Sequence, residues 1–191
     1  MTLLILGLLL FLGVHSVRIV AEPWRQRRMA AWGEPRWKGM YSLASVLGFA
    51  LIVIGYGTAR SEPVALWLLA PWTRHLAALL TLPAFILLVA AYVPGNRIKS
   101  AIGHPMVAGV KLWAVAHLLA NGNLADLLLF GSFLVWAILS FRAARRRDRA
   151  AGVERPTGST VRTALTVAIG MAAWGGFAMA LHVPLIGVRP Y

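Results

Sequence analysis

Five polar positions stand in otherwise apolar surroundings between residues 104 and 133: His104 (followed by Pro105), Lys111, His117, Asn121 and Asp126. Ionisable groups in such a setting are costly to keep and by default mark a site. The chain has no cysteine, so disulfides, iron–sulfur clusters, c-type haem attachment and thiolate catalysis are excluded. Zinc is disfavoured as well, because no close cluster of histidines and carboxylates is present. What remains is imidazole, whose neutral form ligates iron and whose second ring nitrogen needs an acceptor to fix its orientation. His104 and His117 are thirteen residues apart, about 20 Å on one helix, and so cannot share an iron. A two-imidazole haem b site needs a histidine from elsewhere, and His15 is the candidate. His15 and His117, from two helices, are therefore the pair that such a site would draw on. Trp113 and Asn121, four residues either side of His117, share its helix face and could line the pocket. His104 either caps its helix or forms a proton entry point. Lys111 either reaches back to the membrane surface or pairs with an acidic ligand group such as a haem propionate. Against this stands a plainer reading in which His15 and His117 only hydrogen-bond neighbouring helices. No Ser/His/Asp set and no paired carboxylates are visible, and no catalytic residue is assigned.

These residues are positioned by hydrophobic helices. Of 191 residues 59% are hydrophobic and only 13% charged, about half the charged share of a soluble domain. Uncharged runs at 39–59, 75–96 and 163–188 are each long enough to cross a hydrocarbon core, which takes about 20 helical residues. They lack the alternation of barrel strands. The expectation is an all-α integral membrane bundle, a single domain over 1–191, with six transmembrane helices near 1–21, 41–56, 73–92, 105–120, 124–141 and 163–181. The first run lacks a preceding basic residue and a following small-x-small site, so it is read as a helix rather than a cleaved signal. A short amphipathic helix over 23–37, rich in arginine and tryptophan, is expected to lie among the headgroups. Thr73 is placed as a helix N-cap, Asp126 as part of a cap after Asn123, and the loop up to Arg162 as mobile. The spacing Ala172-x-x-x-Gly176-x-x-x-Ala180 points to close packing of the last helix.

The formal charge of +13 is explained by topology rather than by nucleic acid, for which no module is recognisable. Fifteen of the nineteen lysines and arginines lie in or beside three loops, while Arg60, Arg74 and Arg189 fall on the other side. Positive residues gather on the cytoplasmic face, which sets both termini on the periplasmic side of a bacterial inner membrane. On that topology His15 lies roughly 10 Å and His117 roughly 18 Å from the cytoplasmic boundary. Helix tilt can absorb the mismatch. His75 and His182 fall at the outer surface, with structural roles.

The segments HPMVAGVKLWAVAHLLANG, LADLLLFGSF, LPAFILLVAAY and YSLASVLGFALIVIGYG resemble those of the NnrU family of bacterial membrane proteins, across most of residues 3–141. The resemblance implies an association with denitrification, in nitrite and nitric oxide reduction. The plant zeta-carotene isomerases, haem b membrane enzymes that convert a central cis double bond of a carotene to trans, are similar over the same core. Their proposed haem-ligating histidines match His15 and His117, and their His-Pro matches His104. Where the plant motif has a cysteine three residues before the second histidine, this chain has Ala114. Any thiolate ligand or redox switch there is absent. Two functions follow. One is a haem b protein acting in redox chemistry or cis–trans isomerisation of a carotenoid-like polyene, with that polyene or a small redox ligand as partner. The other is a non-enzymatic accessory or transport factor for denitrification, bound to the lipid bilayer through its basic loops.

Overall fold

The computed structural model describes residues 1–190. It is helical throughout: α1 (Thr2–Val20), α2 (Glu22–Trp32), α3 (Glu34–Ser61), α4 (Thr73–Tyr92), α5 (Arg97–Ile102), α6 (Pro105–Ala120), α7 (Leu124–Ala150), α8 (Thr160–Gly176), one π-helical turn (Phe177–Leu181) and α9 (His182–Ile186). Helices α1, α3, α4, α7 and the continuous stretch Thr160–Ile186 are long and apolar enough to cross a membrane. The apolar helix α6 has 16 residues and is about 24 Å long, short of the roughly 20 residues usually needed. The molecule is a helical membrane bundle, with large apolar side chains such as Leu9, Leu43, Val46, Leu79 and Met179 on its outer surface.

The helices pack in the order α3, α1, α7, α6, α4, α8, and α3 also touches α7. Glycines set the closest approach. A Cβ on Gly7 would meet the Ile52 backbone at 2.6 Å, and one on Gly48 the Phe11 backbone at 2.8 Å. These pairs define one antiparallel register of α1 on α3. On α8 the close approach is at Gly170, where a Cβ would meet Ile86 of α4 at 2.7 Å. Gly176, the expected packing residue, faces open space. The indole of Trp174 on α8 donates to Thr81 Oγ1 on α4 at 3.0 Å.

Several boundaries differ from expectation for local reasons. The expected headgroup helix is cut at Gly33, whose φ of 80° breaks the run, and Trp37 belongs to α3. Pro35 then sits in the first turn of α3, where a proline costs nothing. Within α2, Arg25 forks onto both carboxylate oxygens of Glu22 at 2.9 Å, and this hydrogen bonding holds that carboxyl below its usual range. Thr73 is not a cap: its hydroxyl donates back to the Ala70 carbonyl at 2.8 Å, and Trp72 holds the cap position. Helix α7 runs on through the arginine cluster to Ala150, because arginine is itself a good helix former.

Polar contacts sort the connections into two ends. At the basic end Arg147 donates to the Arg18 carbonyl, and Arg97 to the Gly158 carbonyl. The loop expected to be mobile is tied down there. Ser159 N–H donates to Gly95, Arg97 N–H to Thr163 Oγ1, and Asn96, fully buried, caps α5 while donating to Ala90 and Val93. At the other end the loop 62–72 pairs with the α6–α7 turn through Leu66 N–H to Gly122 and Leu124 N–H to Val64. Its Leu68 is 97% exposed. Arg60 closes this end by donating to the Ile186 carbonyl.

Candidate functional site

The two inner histidines are built alike. His15 follows Phe11 by one turn of α1, and its Nδ1 lies 2.6 Å from the Phe11 carbonyl. His117 follows Trp113 by one turn of α6, and its Nδ1 lies 2.9 Å from the Trp113 carbonyl. Carbonyls only accept, so in each ring Nδ1 carries a proton, and in the neutral imidazole Nε2 keeps the lone pair. That is the tautomer in which an imidazole binds a metal through Nε2. The preceding aromatic packs on each ring as well, at centroid distances of 4.2 Å for Phe11–His15 and 5.1 Å for Trp113–His117.

Tyr41 of α3 lies 5.2 Å from His15, and helix α7 supplies further aromatic neighbours to both rings. Phe130 lies against His117 at 4.6 Å, and Trp136 meets His15 edge-on at 6.0 Å. Phe133, between them, contacts Phe11 at 5.8 Å and Trp113 at 5.6 Å. Phe11, Phe133 and Trp113 thus form one aromatic layer, with His15 a turn toward the basic end and His117 a turn toward the other. Six residues of α7 separate the rings' contacts, about 9 Å along the axis. Two imidazoles on one iron need nitrogens only about 4 Å apart, twice a metal–imidazole bond. Helices α1 and α6 do not touch, and α7 packs against both. The donor chemistry fits an axial ligand at each histidine, but the present arrangement does not bring both to a single iron. Among the described residues no group of three or more His, Asp or Glu side chains could hold a metal ion.

The remaining candidates are dispersed. His104 occupies the N-cap position of α6 without capping it; its Nε2 lies 2.7 Å from Asp148 on α7, which Arg155 also contacts. Lys111 points toward the basic end, its Nζ 3.8 Å from the Phe141 ring centroid, and no acidic side chain among the described residues pairs with it. Asn121 donates to the His117 backbone carbonyl at 2.9 Å rather than to the imidazole. His75 stands in the exposed first turn of α4, and His182 faces the Val188 carbonyl at 2.7 Å.

Sequence reasoning missed a buried pair. Asp126 is 2% exposed, accepts from Tyr56 of α3 at 2.5 Å and completes a capping box with Asn123. The expected cap is present, and the same carboxylate also joins α3 to α7 one turn from Phe130. The signal was available in part, since Tyr56 closes an apolar run and has a polar tip that needs a partner when buried.

Multiple apolar helices, with paired polar groups held between them, define a multi-pass helical membrane protein. The chain belongs to the NnrU protein family, whose match covers residues 3–190. No curated protein and no solved structure matches it.

Proposed function

We propose that this NnrU-family chain is a six-helix bacterial inner-membrane protein that binds haem b through imidazole and acts in redox chemistry or the cis–trans isomerisation of a carotenoid-like polyene. The observation that carries this is the shared setting of His15 and His117, each with Nδ1 on its own helix carbonyl and Nε2 left as a lone pair. These two residues would hold the group, and His104, Lys111, Trp113 and Asn121 would act only from further out. When bound, haem b supplies an iron that changes oxidation state and accepts a small ligand. The chain's own work is to fix both imidazole tautomers, to exclude water with the Phe11–Phe133–Trp113 layer and to keep the polar groups at the bundle ends. Joint ligation of one iron requires that layer to shift by about a turn. The six-pass topology with both termini outside rests on the gathering of basic loops at one end, and α6 would then cross with its ends sunk below the surfaces.

The second reading, an accessory or transport factor for denitrification, draws on the separation of the two rings: each is already satisfied by its own helix. Pyridine haemochrome assay of protein purified in detergent from haem-replete cells separates them. Haem b in a fixed ratio to protein is expected. A colourless, folded preparation would sink the haem reading and leave the accessory one.

A further inference from the structure

The connection between α3 and α4 is unlike a loop built to lie in water. From Pro63 to Trp72 it reads PVALWLLAPW, with no charged side chain between Glu62 and Arg74. Every one of these residues is exposed, Val64 by 50%, Trp72 by 62% and Leu68 by 97%. Its inner side is fixed to the α6–α7 turn. Leu66 and Trp67 both donate N–H to the Gly122 carbonyl, and the Val64 carbonyl accepts from Leu124. Gly122 is buried under this contact, where a Cβ would strike the Trp67 carbonyl. Contiguous exposed apolar surface of this kind marks contact with a protein or with a membrane. Depth separates the two. Helix α7 carries no basic residue from Leu124 to Phe141, about 27 Å of helix, and Arg142 then marks the basic surface. A hydrocarbon core is roughly 30 Å thick. The Leu124–Val64 hydrogen bond therefore holds the loop at the far edge of the hydrocarbon, and any tilt of α7 draws it further in.

We propose that residues 63–72 form a lipid-inserted lip, with Leu68 among the acyl chains of the leaflet opposite the basic end and Trp67 and Trp72 at its headgroup boundary. Tryptophan is enriched at that level, since its ring is apolar and its N–H polar. The backbone tolerates the position. Pro63 and Pro71 bring no N–H, Leu66 and Trp67 share the Gly122 acceptor, and the headgroup layer is wet enough to serve the other groups. A soluble protein partner fits less well. It would have to reach below the headgroups to meet Leu68, and the stretch offers no charge to steer it. The lip also follows from the shortness of α6, which stops at Ala120: the loop, rather than more helix, meets lipid above the turn. The inference needs no haem and does not depend on which side of the membrane is cytoplasmic.

The chain has no cysteine, so Leu68→Cys gives a single thiol for a nitroxide label. The full chain is placed in phosphatidylcholine nanodiscs, which leave both faces open to solvent. Power-saturation electron paramagnetic resonance then compares relaxation by oxygen, which concentrates in lipid, with relaxation by a neutral nickel chelate, which stays in water. The oxygen-to-nickel accessibility ratio should lie above unity at position 68. It should lie below unity for Glu154→Cys, exposed in the loop at the basic end. Circular dichroism checks the fold; should Leu68→Cys not fold, Trp72→Cys decides by the same ratio. A label relaxed mainly by nickel would put the loop in water. An immobilised label shielded from both reagents would put it under a protein, either a second copy or another partner. Either result would overturn the proposal.

Discussion

The surroundings of His15 and His117 repeat one device and differ in everything around it. Both rings sit one turn after an aromatic residue and give Nδ1 to its carbonyl. His15 then looks toward Tyr41 and Trp136. His117 looks toward Phe130, one turn of α7 from the buried Asp126–Tyr56 pair. A single helix can fix the orientation and tautomer of an imidazole by itself. What that imidazole can then meet is decided by neighbouring helices, and here they hold the two rings on opposite sides of one aromatic layer.

The comparison can be broken one side at a time. The largest effect is expected on the His117 side. Asp126→Ala leaves the Tyr56 hydroxyl and the Asn123 N–H without their acceptor and should cost roughly 2–4 kcal/mol, read as a fall in the thermal unfolding midpoint in detergent. Next is the His15 side. Gly48→Val drives a side chain into the Phe11 backbone and should cost about 1–3 kcal/mol. It should also alter a probe attached near His15 while leaving one near His117 unchanged. Phe133→Ala acts on the layer itself. Partial burial limits its cost to about 2 kcal/mol, and it should raise the haem retained per chain, because it opens the space between the two rings. Unchanged retention in folded protein would show that the layer does not hold the rings apart. The smallest effect is expected from Thr81→Val, which removes the acceptor for Trp174 between α4 and α8 and the hydroxyl's own bond back to the Ala78 carbonyl, at about 1 kcal/mol. Neither histidine should sense it.

The fold class was legible in the sequence because uncharged runs of membrane length leave few alternatives. So were the α6–α7 hairpin and the capping box at Asn123 and Asp126, which depend on neighbours in sequence. Boundaries were harder to read. Helix α7 continues through five arginines because helix propensity does not end where hydrophobicity does, so composition alone stopped it nine residues early. Gly176 looked like a packing residue, yet Gly170 is the one that meets α4; spacing marks small residues on a helix without saying which face another helix covers. The loop before Arg162 looked unstructured because its anchors, Gly95, Asn96 and Arg97, are more than sixty residues away. For the candidate site, both histidines were identifiable by type and setting. Their depth mismatch of about 8 Å was visible too, and in the structure their contacts on α7, Phe130 and Trp136, lie six residues apart. The Tyr56–Asp126 contact joins residues 70 apart, and no local pattern encodes it.

The most direct test of the account is the visible spectrum of purified protein with each histidine replaced in turn. The Soret band should be lost in both His15→Ala and His117→Ala and kept in His75→Ala, with all three variants folded. A band unchanged by either inner substitution would contradict the assignment of these two imidazoles as the haem ligands.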